Sequence, residues 1–413
     1  MTFLRFFERV SFREFTQVDK TFLASMILIL ALGLVMVASA SVSVSEDVHG
    51  HPYFFMARQS FYLLLGGGFG WILLSLPTQH LQRWGVWMML FSLLLLILVL
   101  VPGIGKSVNG SRRWINLVVF NLQASEVAKV CMVVYVSGYL VRRADRVRQS
   151  FVGFIMPLFV CIAFLLFLLL EPDFGASVVL LGTVMVLLFL AGAPLYQFLL
   201  LLAGAVLMLG LVAVSASYRM KRLMNFVDPW ADPFNEGYQL SQALIAYGRG
   251  EWFGLGLGNS VQKLSYLPEA HTDFVFSIWV EETGMLGGLV LILLFAVMLF
   301  RAFKIGHRAM SLSRPFAGYM CFGFSILILA QVIINIGVNT GFLPTKGLTL
   351  PLISYGGSSL IITLGSLFAI ARVDIENRRG EQALESNENS DFEQNENINE
   401  SDFIESDYKE STV

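Results

Sequence analysis

The sequence predicts an all-α polytopic membrane protein with about ten transmembrane helices and a large extracytoplasmic loop between the seventh and eighth. Three observations carry this. The 413 residues are 56% hydrophobic and only 14% charged, with 35 Phe, too apolar for a chain that must present a polar surface to water. Runs of 18 or more mostly apolar residues recur along the chain, each long enough to cross a hydrocarbon core. Basic clusters punctuate those runs with a period that matches a back-and-forth path.

The expected spans are 21–42, 59–76, 84–101, 124–141, 151–170, 174–191, 195–215, 274–300, 316–338 and 352–371. The fifth, sixth and seventh are separated only by Glu171-Pro172-Asp173 and Gly192-Ala193-Pro194, where proline marks the turn. No cleavable signal peptide is expected, because the first apolar run has full spanning length and no small-residue cleavage site follows it. Residues 1–20 then form an N-terminal segment, 21–373 the membrane domain and 374–413 a tail.

Charge sets the expected orientation. Arg5, Arg9, Arg13 and Lys20 precede the first span, and Arg142, Arg143, Arg146 and Arg148 follow the fourth. Arg301, Lys304, Arg308 and Arg314 follow the eighth, and Arg372, Arg378 and Arg379 the tenth. With ten spans all four clusters fall on one side, which the positive-inside rule makes the cytoplasm, and both termini lie there.

The formal net charge of -2 hides an asymmetry. From Asp374 on there are 13 acids and 3 bases, which leaves 17 acids and 25 bases in the body. A basic body suits anionic headgroups and phosphate-bearing ligands, although ordinary cytoplasmic anchoring accounts for most of it. The tail is rich in Glu, Asn, Asp and Ser without apolar periodicity and reads as disordered.

Three loops are basic on the outer side, against the rule. The first, 102–123, holds Lys106, Arg112 and Arg113. The large loop, 217–273, holds Arg219, Lys221, Arg222, Arg249 and Lys263. The last, 339–351, holds Lys346. An anionic ligand at the outer leaflet would give these charges a use. Within the large loop, 238–247 places Leu240, Leu244 and Tyr247 at helical spacing and reads as an interfacial amphipathic helix. Gly254, Gly256 and Gly258 follow as a flexible turn; no strand precedes them to make a nucleotide loop.

The large loop ends in Leu-Pro-Glu-Ala-His-Thr-Asp-Phe (267–274), which sets Glu269, His271, Thr272 and Asp273 together at the mouth of a span. Asp273 is either a first-turn carboxylate favoured by the helix dipole, with Thr272 as cap, or a reactive group. Glu281 and Glu282 lie two turns on and either deepen the acidity or pair with bases elsewhere. Glu126 and Lys129, three residues apart, share a face of the fourth span as a packing ion pair or as a cavity wall. Asp173 is a helix cap beside Pro172 or a functional carboxylate. The 342–359 segment, with Pro344, Lys346, Pro351, small hydroxyl residues and glycines, has the composition of a site wall, because non-helical backbone near a membrane needs protein or water to satisfy it. Cys131, Cys161 and Cys321 sit inside apolar runs with no metal-site or disulfide spacing.

Together, 267–274, Pro-Thr-Lys-Gly-Leu-Thr-Leu-Pro (344–351), Ile-Ser-Tyr-Gly-Gly-Ser-Ser (353–359), Gly-Ser-Arg-Arg-Trp (110–114) and Gln-Ala-Ser-Glu-Val-Ala-Lys (123–129) resemble the SEDS family (shape, elongation, division and sporulation) over residues 20 to 373. The 344–351 run is similar to the division member rather than the elongation member. Ala124 stands where the family has proline, and Trp279 and Thr283 are unusual after Asp273.

The resemblance implies a peptidoglycan glycosyltransferase. It would polymerise lipid II at the outer face of the inner membrane, at the septum, with a class B penicillin-binding protein and other divisome membrane proteins as partners and no nucleic acid. It implies Asp273 as the essential aspartate, Glu126 and Lys129 as the ion-pair motif, Asp173 as the Pro-Asp turn and Lys346 as the late-loop lysine.

On that footing Asp273 is the expected base and Lys346, Arg112 and Arg113 the expected pyrophosphate ligands. Glu269, His271 and Thr272 belong to the same substrate site. A divalent cation, magnesium or manganese, would share the phosphate charge, though no ligand cluster marks a place for it. The competing readings are a lipid II flippase, which needs the polar cavity but no base, and a non-catalytic scaffold of the division machine.

Overall fold

The computed structural model describes residues 8, 10–108, 111–117, 120–214, 226, 228–235, 237–344 and 347–410. Ten apolar helices correspond in order to the ten expected spans. They are α2 (Lys20–His49), α3 (Phe54–Leu74), α4 (Thr78–Leu100), α5 (Ala124–Arg142), α7 (Phe151–Leu170), α8 (Phe174–Leu190), α9 (Leu195–Val214), α11 (Val275–Ser311), α12 (Pro315–Asn339) and α13 (Gly357–Glu410). By length and composition seven are fully able to cross a membrane among the described residues, while α8, α9 and α3 are 17, 20 and 21 residues long. Short α1 (Phe12–Gln17) and α6 (Ala144–Gln149) lie between them, and α10 (Tyr238–Gly250) is the expected amphipathic helix of the large loop. The fold is a polytopic all-α membrane protein.

Two buried clusters hold the bundle. One gathers Phe22, Met36, Phe295, Met320, Phe324 and Leu367; the other gathers Leu96, Met132, Phe154, Phe164, Leu180 and Leu187. Outward-facing side chains such as Phe159, Leu170, Leu207 and Leu293 are exposed and apolar, as a lipid-facing surface requires. Small residues bring α3 against α13: a methyl on Gly66 would stand 2.8 Å from a Leu364 methyl, and one on Gly70 2.6 Å from the Phe368 ring.

Residues 105–123 depart from the all-helical expectation. They form a three-stranded antiparallel sheet, β1 (Gly105–Val108), β2 (Ser111–Asn116) and β3 (Asn121–Gln123), with Trp114 opposite Gln123 and Ile115 opposite Leu122. The pairing of β1 with β2 shifts register between Lys106 and Ser107, whose partners are Trp114 and Arg112, so Arg113 is the bulged residue between them.

α11 breaks at Gly284, whose φ of 73 and ψ of -177 are open only to glycine. The backbone groups freed there are taken up by the large loop. Leu255 and Gly256 donate to the carbonyls of Glu281 and Glu282, at 3.0 and 2.9 Å, and Met285 and Leu286 donate to those of Glu251 and Trp252, at 2.9 and 3.2 Å. The glycine-rich turn therefore serves as a backbone clasp. Glu282 pairs with Lys263 at 2.8 Å and Glu281 with Arg249 at 3.2 Å. Two of the outer-side bases thus balance carboxylates of α11, and no ligand is needed to explain them.

At the far end of the bundle Arg372 is 1% exposed and bonds Glu8 and Glu376, while Arg314 reaches Glu376 and Asn377. Asp19 pairs with Arg301, and Asp374 with Arg378 and Arg308. The body thus runs past the expected boundary at 373, because these acids neutralise the basic clusters. The segment expected to be disordered continues α13 as helix to Glu410, with no proline after Pro351 to interrupt it.

Candidate functional site

The turn before α11 is closed by one acceptor. The backbone N–H groups of Thr272, Asp273 and Phe274 all point to the carbonyl of Glu269, at 3.1 to 3.2 Å. Helix α11 begins at Val275 with Phe274 as N-cap and no side-chain cap, so neither Thr272 nor Asp273 caps it. Thr272 instead donates its hydroxyl to Glu269 Oε2 at 2.6 Å. Asp273 is left half-buried in the wall of a cavity of about 550 Å³, and Glu269 and Thr272 line the same space.

Four other parts of the chain complete the walls. The sheet contributes Ser111, Arg113 and Trp114 from β2 and Asn121 and Gln123 from β3; Glu126 follows at the start of α5. Arg113 is held by two carbonyls, its Nε donating to Glu171 O at 3.0 Å and a terminal nitrogen to Pro172 O at 2.6 Å. Helix α3 contributes Arg58 and Tyr62, α10 contributes Gln239, and the 347–359 segment contributes Gly347, Thr349, Tyr355 and Ser359. Ser358 ties that segment to the sheet, accepting from Gln123 N at 3.0 Å and donating to Asn121 O at 2.6 Å.

Of the residues expected from sequence, Asp273, Glu269, Thr272, Arg113 and Glu126 meet in this cavity; Arg112, Lys129, Asp173 and His271 do not line it. Arg112 is exposed and takes no part in the cavity wall. Lys129 is fully buried and bonds Glu126 Oε1 at 2.8 Å, so the pair packs the bundle through its lysine and meets the cavity through its glutamate. Asp173 is the N-cap of α8: it accepts from Ala176 N at 3.2 Å, and also from Ser125 Oγ at 2.9 Å and Gln123 Nε2 at 3.3 Å. Its part in the site is to fix Gln123.

His271 packs its ring 4.8 Å from that of Phe55 and 5.8 Å from that of Tyr355. Burial pushes its pKa down, against the pull of Glu269, so the imidazole is a neutral prop. Burial likewise raises the Tyr355 phenol and keeps it a hydrogen-bond donor. Lys346, Arg219, Lys221 and Arg222 lie outside the described residues.

Sequence reasoning missed Arg58, Tyr62, Gln239 and Glu171. Arg58 stands in an aromatic neighbourhood, its guanidinium 5.4 Å from the centre of the Phe54 ring. The signal for it was a lone arginine inside the N-terminal part of an apolar stretch. Glu171 is fully buried behind Arg113, and neither side-chain oxygen has a partner among the described residues. Burial, helped by Asp173, pushes its pKa up to about 9, so it is a neutral acid at pH 7.

Among the described residues no three His, Cys, Asp or Glu side chains group closely enough to hold a metal ion.

Residues 19–379 match the family model for the FtsW/RodA/SpoVE cell cycle proteins. The probable peptidoglycan glycosyltransferase FtsW of Marinomonas mediterranea is 72% identical over 92% of this chain and 94% of its own. Its namesake from Hahella chejuensis is 52% identical over 82% and 85%. Among solved structures, a chain of a peptidoglycan synthase complex, described for the structural coordination of polymerization and crosslinking, superposes with a TM-score of 0.72. It is 30% identical, over 87% of this chain and 98% of that one. The rod shape determining protein RodA of Thermus thermophilus gives 0.64 at 28% identity, over 86% and 96%. The match over most of the chain and the shared bundle agree with the motifs around Asp273, and the chain belongs to the FtsW/RodA/SpoVE family of cell cycle proteins.

Proposed function

We propose that the protein is a peptidoglycan glycosyltransferase that polymerises lipid II into glycan strands during septal wall synthesis. The observation that carries this is the placing of the Asp273 carboxylate in one cavity with Arg58 and Arg113. The cavity, about 550 Å³, is in the size range that takes a sugar-sized ligand. A carboxylate and two guanidinium groups lining one cavity are the equipment for moving a proton at one end of a reaction and taking up phosphate charge at the other.

In the reaction, the 4-hydroxyl of a GlcNAc attacks the anomeric carbon of a MurNAc. The new C–O bond forms as the bond to the undecaprenyl pyrophosphate breaks, and configuration inverts. Asp273 takes the hydroxyl proton as bonding develops. The pyrophosphate leaves with the electron pair, its growing charge offset by Arg113 and Arg58, with Lys346 as a further ligand. One base suffices, because an inverting transfer makes no glycosyl–enzyme intermediate. Glu269, Thr272, Gln123 and Tyr355 supply hydrogen bonds to the sugars. A divalent cation such as magnesium or manganese would add to the charge neutralisation that the arginines supply at the pyrophosphate.

The enzyme works as a multi-pass protein of the inner membrane with both termini cytoplasmic and the cavity facing the periplasm. A class B penicillin-binding protein and other divisome membrane proteins are its partners.

The test is polymerisation of labelled lipid II by the purified protein, with and without that partner. Asp273→Asn is expected to abolish polymer. If Asp273→Asn still polymerises, the base assignment fails. If the wild-type protein with its partner moves lipid II across a bilayer without making polymer, the flippase reading replaces this one; if it does neither, the scaffold reading does.

A further inference from the structure

Asn335 and Asn339 lie one turn apart on α12, so their side chains share a face. Both are buried, at 2% and 0% exposure. Each Nδ2 donates to the backbone carbonyl of Asp273 at 2.9 Å. The second hydrogen of Asn335 goes to the carbonyl of Leu348 at 2.6 Å. Asn339 is itself oriented by α11, its Oδ1 accepting from Ser277 Oγ at 2.8 Å and from Ser277 N at 3.3 Å. Asn335 therefore binds both the residue that carries the carboxylate and the segment whose Gly347 lies against that carboxylate.

The chemistry demands an amide here. Two carbonyls need two N–H donors from one small group, and a primary amide supplies both from a single nitrogen. An ionised aspartate has none, and leucine of similar shape has none. Without the amides the Asp273 carbonyl, in a buried setting, loses its partners and the turn must shift to find others.

We infer that Asn335 and Asn339 are positioning residues for Asp273, setting the carboxylate against the attacking hydroxyl by fixing the backbone of residue 273 and of the facing wall. This rests on Asp273 acting as the base. The amides hold the reacting carboxylate rather than touch the sugars, so losing the pair falls mainly on kcat. A shift of the base by about 1 Å costs on the order of 100-fold.

The experiment compares Asn335→Asp, Asn339→Leu, Ser277→Ala and Asp273→Asn in the polymerisation assay, with thermal melting of each to report the folded fraction. The expected result is a kcat loss of about 100-fold for Asn335→Asp and a smaller one for Asn339→Leu, both with KM unchanged in folded protein. Ser277→Ala, which only loosens the orientation of Asn339, should lose about fivefold, the factor a single neutral hydrogen bond is worth. If Asn335→Asp does not fold, Asn339→Leu and Ser277→Ala decide. An inactive Asp273→Asn beside asparagine and serine variants with wild-type kcat, or with their loss entirely in KM, overturns the positioning role alone. An active Asp273→Asn overturns the base assignment beneath it.

Discussion

Gly347 faces the carboxylate of Asp273 with no room for a side chain: a methyl on its Cα would stand 2.9 Å from Oδ2. The glycine is exposed and packs little, so its lack of a side chain concerns the carboxylate more than the fold. Gly347→Ala should push the carboxylate aside, lower kcat by about 100-fold and leave the melting temperature close to wild type. Steady-state polymerisation rates and a melting curve check both halves. Wild-type kcat would show that the carboxylate has slack.

Adjacent arginines on β2 should behave differently. Arg113 lines the cavity and is braced by the 171 and 172 carbonyls, whereas Arg112 is exposed and takes no part in the wall. Arg113→Ala should lower kcat/KM by about 10- to 100-fold, the worth of a charge-assisted hydrogen bond. Arg113→Lys should recover only part of it, because an ammonium lacks the fork. Arg112→Ala should stay within about twofold. Equal losses at both positions would contradict the assignment of Arg113 alone to the cavity.

Glu171 makes stability fall with rising pH. Its folded pKa, about 9, lies above the ordinary 4.5, so the folded protein holds a proton that the unfolded chain has released. The stability tied to that proton is intact below about pH 4.5 and lost progressively as pH rises through about 9. Glu171→Gln carries no such proton. Its melting temperature should gain on wild type steadily from pH 5 to pH 9, and a gap that stays constant over that range would refute the buried neutral acid.

Arg372 anchors the end of the bundle away from the cavity, about 22 Å along α13 from Gly357 at 1.5 Å per residue. Arg372→Met should destabilise by about 2 kcal/mol. That is below the 3–5 kcal/mol typical of a broken buried pair, because Glu8 is half exposed and Arg314 still holds Glu376. The loss should appear in detergent melting, while kcat per folded molecule stays near wild type.

The ten apolar stretches, the amphipathic helix of the large loop and the polar turn at 267–274 were legible in the sequence. Each depends on local periodicity or on the cost of placing polar groups at a membrane, and both are written in consecutive residues. Tertiary structure alone decided which polar residues share the cavity. Arg58 and Tyr62 come from α3, Arg113 and Gln123 from the sheet, and Tyr355 from the last loop, elements separated by up to some three hundred residues of chain. The same packing turned His271 into a prop for Phe55 and Tyr355, gave Lys129 wholly to Glu126, and spent Arg249 and Lys263 on Glu281 and Glu282. A buried charge takes whichever opposite charge the fold brings within reach, and that neighbour is fixed by how the helices pack rather than by spacing along the chain.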